Sequence, residues 1–368
     1  MAKNVVVCCD GTGNEFGESN SNVVKLYKTL VRGPSQVCYY HPGVGTMGAR
    51  NALSPIGKWW TRILGLAFGY GISDNLADAY QFLMRTFEPG DLLYVFGFSR
   101  GAYTARALCG MLHIVGLLDR NNEGLIPFAI RMIKNRKINF SVAGEFKKTF
   151  SQECKPHFVG VWDTVSSVGW VYNAVRFPFT TLSSNPDFNI VRHAVSIDER
   201  RAFFRQNLFG VPHNPQQNVQ EVWFAGVHSD VGGSYLESES QLSKITLRWM
   251  FCEAELAGLL IDPQQRADIL GAKPPYVAPD PTATTQHESL HGGWWMAEVW
   301  PKIVHLQNLQ GEWGSSIRLN LGRHRFILPG CLVHESVEQR VNSPTLWYKP
   351  GNIPEQRQIV REPCGSGN

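Results

Sequence analysis

No apolar run in this 368-residue chain approaches the roughly 18 residues of a membrane-spanning helix. The N-terminal apolar run, Val5 to Cys9, reaches an aspartate after five residues and is too short for a signal-peptide core. A chain made in the cytoplasm as a soluble protein is therefore expected. Eight Cys occur, with no C-x-x-C among them. Cys8, Cys9, Cys109 and Cys252 lie in apolar runs where a small hydrophobe serves, so reduced thiols are expected throughout. Long Lys/Arg blocks are missing too, and the net charge is only +4. That is a weak footprint for nucleic acid, and no nucleic-acid partner is expected. The densest basic stretch, Arg131 to Lys148, reads as a solvated helix face, with anionic lipid headgroups as the alternative partner. Internal repeats are absent.

What the chain does have is apolar bulk: 43% hydrophobic residues, with 11 Trp and 20 Phe. Short β-prone runs alternate with helical periodicity. "NVVVCC" (Asn4 to Cys9) reads as a buried strand, "NVVKLYKTL" from Asn22 as a helix with Val23, Leu26, Tyr27 and Leu30 on one face, and "QVCYY" as a second strand. A helix with Leu76, Ala79, Tyr80, Leu83, Met84 and Phe87 in register runs to the Pro89-Gly90 stop, and "LLYVFGF" follows as a third strand. "HFVGVWD" and "EVWFAGVH" supply two more. Strands separated by helices predict an α/β fold, a mainly parallel sheet with helices on both faces. Residues 1–237 read as the core, with insertions at about 118–155 and 172–220 placed to act as lids. Residues 238–368 read as a C-terminal helical and Pro/aromatic-rich extension packed on that core.

In a parallel sheet, ligands sit beyond the carboxyl ends of the strands. Polar turns at those ends bring distant residues together. Gly97-Phe98-Ser99-Arg100-Gly101 satisfies G-x-S-x-G between a strand and a helix, the context in which a serine nucleophile is presented on a tight turn. A serine hydroxyl needs a base and a group that orients the base. In this fold the order is Ser, acid, His, so Asp163, ending "GVWD", and His228, in "GVHSDVGGSY", are the candidates. Asp163 also reads as a simple helix cap. His193 in "VRHAVSIDERRAFF" is the rival base, although that stretch reads as helical and gives it a packing role. For the developing oxyanion, the N–H of Arg100 and one from Gly11 or Thr12 in "DGTGN" are the expected donors. Asp10, His41 and Asp230 close the set as substrate-contacting or secondary candidates.

Seven ordered blocks, "CCDGTGNEFG", "NVVKLYKTL", "PGVGT", "GFSRGAYTARAL", "GVWDTVSSVG", "RHAVSIDERRAFF" and "VWFAGVHSDVGGSY", resemble an α/β-hydrolase family long listed as a domain of unknown function. That family includes the catalytic domains of type VI secretion phospholipase effectors. The resemblance spans about Val5 to Tyr235. It implies an α/β-hydrolase fold and a serine esterase without cofactor or metal, with Ser99 as nucleophile, Asp163 as acid and His228 as base. It also implies an ester or phospholipid substrate, with lipid as the leading class; a membrane surface is a further candidate partner. An effector role adds an immunity or delivery protein as partner and export without a signal peptide.

Three other readings compete. "CCDGT" echoes the D-x-D-G-T of haloacid-dehalogenase phosphatases, but position 8 is Cys where that chemistry needs Asp. Asp10, Asp163, His228 and Asp230 could gather as a metal-dependent hydrolase site. A catalytically inactive hydrolase fold kept as a binding module is the third.

Overall fold

The computed structural model describes residues 2–11, 17–43, 72–134, 138–165, 180–181, 184–212, 214–292, 294–299, 301–307 and 313–364. Eight strands form one sheet: β1 (Asn4–Cys9), β2 (Gln36–His41), β3 (Leu92–Phe98), β4 (Pro156–Trp162), β5 (Ile190–Ser196), β6 (Asn218–Phe224), β7 (Cys331–His334) and β8 (Arg357–Val360). Their spatial order is β2-β1-β3-β4-β5-β6-β7-β8. Every pairing in this sheet is parallel. All eight carboxyl ends therefore share one edge, and the order reverses between β1 and β3. Such a switch point opens a crevice beyond the strand ends.

Alternation along β1 shows why helices cover both faces. Val5, Val7 and Cys9 pack into one core with α2 (Ile72–Thr86) and α3 (Arg100–Val115). Val6 and Cys8 pack into the other with α1 (Asn22–Thr29) and the long helix Gln241–Leu256. A strand buried on both faces reads as a continuous apolar run, as "VVVCC" does. Each fully buried Val, Leu or Phe contributes about 1.5–3 kcal/mol of transfer free energy. Among the described residues, no helix is long and apolar enough to cross a membrane.

Four expectations change. The start of "VRHAVSIDERRAFF", read as helical, belongs to β5: Val191 and Val195 are fully buried in the sheet interior. His228 therefore follows the second strand after β4, not the next. The 118–155 segment is not placed as a lid. Helix α3 leaves the carboxyl edge, runs 16 residues, and returns the chain to the amino edge, where β4 begins. Helices α4 (Ile126–Lys134) and α5 (Phe140–Phe150) lie there: Lys147 Nζ donates to the carbonyl of His113 near the far end of α3, at 2.8 Å. Of the second proposed lid, residues 172–179 lie outside the described residues, and the part that borders the carboxyl edge is the loop after β5.

The C-terminal segment is more than a packed extension. It supplies β7 and β8, whose short runs "CLVH" and "RQIV" carry little periodic signal. Finally, Cys252 and Cys364 are joined in a disulfide, against the expectation of reduced thiols. Their Cα atoms are 5.6 Å apart but their positions are separated by 112 residues, a pairing spacing alone could not reveal. The other six Cys are free.

Candidate active site

Ser99 stands between β3 and α3 with φ 58° and ψ −119°, a conformation costing a non-glycine residue about 1–3 kcal/mol. Its surroundings enforce it. The Ser99 N–H donates to Trp162 O at 3.1 Å, and the Tyr103 N–H donates to Ser99 O at 3.3 Å. The two flanking glycines permit the crossing of helix and strand. A Cβ on Gly97 would lie 2.6 Å from Gly101 O, and one on Gly101 would lie 2.2 Å from Cys9 O. The Ser99 turn is thus pressed against the end of β1, at the switch point.

His228 opens a short helix, His228–Gly232, beyond β6. Gly226, at φ 105°, turns the chain into it, and Asp230 Oδ2 accepts the Val227 N–H at 3.1 Å. Asn22 of α1 holds the helix from below, donating to Val231 O at 3.0 Å. The imidazole then lies between Phe98 and Phe204, with ring centroids 4.6 and 4.8 Å away. Its Nε2 is 2.9 Å from Ser99 Oγ, and its Nδ1 is 2.5 Å from Asp163 Oδ2. A carboxylate only accepts, so Nδ1 carries the proton and Nε2 is left to accept the Ser99 hydroxyl. Burial lowers the His228 pKa from its ordinary value, against the opposing pull of Asp163 and Glu199.

Asp163 caps β4 at φ 38° and is fully buried. Its Oδ1 accepts from the Ser196 N–H at 2.9 Å, and its Oδ2 from Ser196 Oγ at 3.1 Å. Arg325 reaches both oxygens, Nη1 to Oδ1 at 2.5 Å and Nη2 to Oδ2 at 3.0 Å. Burial works to raise the Asp163 pKa, but Arg325 and His228 outweigh it and hold the carboxyl well below the usual range. The same contacts favour the carboxylate form of Asp163.

The remaining candidates scatter. Asp10 is buried with its carboxylate accepting from Ser21 Oγ and Tyr40 Oη, both at 2.7 Å, and from the Gly11 N–H at 2.6 Å. In this conformation the Gly11 N–H is directed at Asp10 and is not presented to an oxyanion, which corrects its expected role. Thr12 lies outside the described residues. His41 ends β2, 3.5 Å from Asp78. Asp230 is taken by the helix cap and by His287, whose Nδ1 is 2.7 Å from Oδ1. His193 is buried in β5, 2.8 Å from Glu221 through Nδ1, while its Nε2 accepts the Thr164 N–H at 3.2 Å. Both ring nitrogens are used in the core, so it is not placed as a base for Ser99. The Asp10, Asp163, His228 and Asp230 side chains do not form one metal cluster. Among the described residues, no group of three or more His, Cys, Asp or Glu is arranged to hold a metal.

Residues 3–253 match the family described as "T6SS, Phospholipase effector Tle1-like, catalytic domain". The chain belongs to this family. As a Tle1-like catalytic domain it is a lipase-like hydrolase by kinship. It is also 26% identical to the uncharacterized protein YEL023C of Saccharomyces cerevisiae, over 98% of this chain and 82% of that one. Two solved structures resemble it distantly. An uncharacterized protein from Pseudomonas aeruginosa has 21% identity and a TM-score of 0.43, covering 72% of this chain and 47% of that one. The Tle1 effector bound to the VgrG spike of the type 6 secretion system has 15% identity and a TM-score of 0.42, covering 73% and 77%. The chain thus spans about half the length of the Pseudomonas protein.

Two features of this Tle1-like site escaped the sequence reading. Glu199, in the loop after β5, accepts the His228 N–H at 3.2 Å, Ser289 Oγ at 2.9 Å and the Arg201 guanidinium at 2.9 Å. Burial opposes its ionisation, and Arg201 outweighs this to hold it at about 2. The charged run "DERR" directly after an apolar strand was the available signal. Arg325 had none: "GRHRF" lies far along the chain in a segment without periodicity.

Proposed function

We propose that this protein is a serine hydrolase that cleaves carboxylic esters, phospholipid esters foremost, through an acyl-enzyme on Ser99. The observation that carries the reading is the chain of contacts from Ser99 Oγ through His228 to Asp163, at 2.9 and 2.5 Å, at a strained turn beside the switch point. His228 Nε2 takes the hydroxyl proton as Oγ attacks the ester carbonyl. Asp163 stabilises the imidazolium that forms, and that imidazolium then protonates the departing alcohol. Water, activated by the same nitrogen, hydrolyses the acyl-enzyme and frees Ser99. The N–H of Arg100, first residue of α3, is positioned by sequence next to the nucleophile to stabilise the oxyanion, and removing such a donor costs about 2.7–4 kcal/mol in other hydrolases. Neither step calls for a metal or cofactor.

Lipid as the substrate class is supported by the family and by the aromatic rings of Phe98 and Phe204 beside the imidazole. An effector role, with a delivery component and an immunity protein as partners and export without a signal peptide, is supported by the family alone. The test is fatty-acid release from phosphatidylcholine–phosphatidylglycerol vesicles. Wild type is expected to release fatty acid, while Ser99→Ala and His228→Ala fall by at least a thousandfold. Turnover by Ser99→Ala near the wild-type rate would remove the acyl-enzyme reading. Hydrolysis of short soluble esters with none of vesicles would keep the chemistry and remove the lipid assignment.

A further inference from the structure

The geometry points to Arg325 as a positioning residue of the reaction, a fourth member that fixes Asp163 and sets the charge His228 faces. The inference rests on the acyl-enzyme reading above. Arg325 is 1% exposed, and its guanidinium forms a two-pronged pair with Asp163, at 2.5 and 3.0 Å. The same Nη1 donates to Ser196 Oγ at 2.7 Å and Ser196 O at 3.0 Å, and Nη2 donates to Phe204 O. One side chain therefore ties the acid to the end of β5 and to the loop carrying Phe204, whose ring packs edge-on against the His228 imidazole. Asn352 Nδ2 ties the Arg325 backbone to the chain after β5, donating to Arg325 O at 3.1 Å and to Ile197 O at 3.0 Å.

The fork has two separable effects. Its planar geometry matches both carboxylate oxygens and holds Oδ2 where Nδ1 needs it, which a lysine cannot reproduce. Its charge partly neutralises Asp163. With the cation present, the carboxylate stabilises the imidazolium less than an unshared anion would, so His228 releases its proton at lower pH. Other charges around the imidazole are Glu199, which accepts the His228 N–H, and Arg201, paired with Glu199 and lying over Phe204. Arg205, in the same loop, faces Arg325 and Glu199. Arg325 also acts on Glu199 and Arg205, so Arg325→Met is read against Arg325→Lys, in which the charge at position 325 and its effect on both are kept.

The experiment follows kcat/KM for p-nitrophenyl butyrate against pH in full-length wild type, Arg325→Met and Arg325→Lys. In Arg325→Met the acidic limb is expected to move upward by about one pH unit, because an unscreened Asp163 favours the protonated imidazole. In Arg325→Lys the charge remains while the fork is lost. Its limb should stay in place while kcat falls at least tenfold. In an Asp163→Asn background, replacing Arg325 by Lys should change kcat/KM less than twofold, since the group it acts through has gone. Uniform loss at every pH with an unmoved limb in Arg325→Met, or unchanged kcat in Arg325→Lys, would overturn the assignment. If Arg325→Met fails to fold, the Lys variant and the double-variant comparison decide alone. Activity surviving in Ser99→Ala would instead overturn the acyl-enzyme reading, a separate failure.

Discussion

In the proposed reaction the hydroxyl of Ser99 becomes a nucleophile through the charge state of one imidazole, and that state has a predictable pH dependence. Burial lowers the His228 pKa from its ordinary value near 6.5. With neutral imidazole as the proposed base, catalysis is expected to be retained as pH falls until His228 takes up a proton. The acidic limb of kcat/KM in wild type is accordingly expected below pH 6.5, measured with a soluble ester so that vesicle charge does not intrude. A limb above that value would mean that the carboxylates, not burial, dominate the site. At this scale the sequence was informative where a motif constrains chemistry and silent where it does not. Ser99, Asp163 and His228 could be named because a turn, a strand end and a glycine-rich segment each restrict which side chain can be useful there. Arg325 could not, since a lone arginine in an aperiodic segment looks like any surface cation. The Gly11 N–H was expected to face substrate, and its bond to Asp10 is a local choice that only coordinates reveal.

Elements bring these residues together through a few close backbone approaches. The most severe is at Gly101, where a Cβ would lie 2.2 Å from Cys9 O and 2.4 Å from Asp10 O. Backbone atoms of a central strand cannot yield as a flexible side chain can. Gly101→Ala should therefore push α3 away from β1, costing about 1–3 kcal/mol or more, and should displace Ser99. The expected outcome is a melting temperature lower by several degrees together with loss of ester turnover. Gly33→Ala is the control, because nothing lies within 4 Å of a Cβ there, and it should change neither. If Gly101→Ala keeps full activity, the elbow is less constrained than the contacts require. Strands β1 to β4 and β6 were legible because buried parallel strands read as short apolar runs between polar turns. Strand β5 was misread because Val191, Ala194 and Val195, three and four apart, all lie within the strand itself, where Arg192 and His193 interrupt the apolar run. Tertiary burial on both faces overrode that local pattern.

For the whole molecule, the all-parallel eight-stranded sheet gathers its carboxyl ends on one edge, and the β1/β3 reversal opens a crevice on that edge. The parallel α/β class was readable from the alternation of segments. The position of the 118–155 helices was not, because only the direction of α3 tells which edge an insertion leaves from. Nor was the contribution of the C-terminal segment, which supplies two strands and Arg325. One covalent bond distinguishes a serine nucleophile from every alternative. Full-length protein treated with a fluorophosphonate, digested and analysed by mass spectrometry should carry the adduct on the peptide containing Ser99. The Ser99→Ala protein should carry none, and His228→Ala should label far more slowly. An adduct on another residue, or equal labelling of Ser99→Ala, would contradict the assignment of Ser99 as the nucleophile.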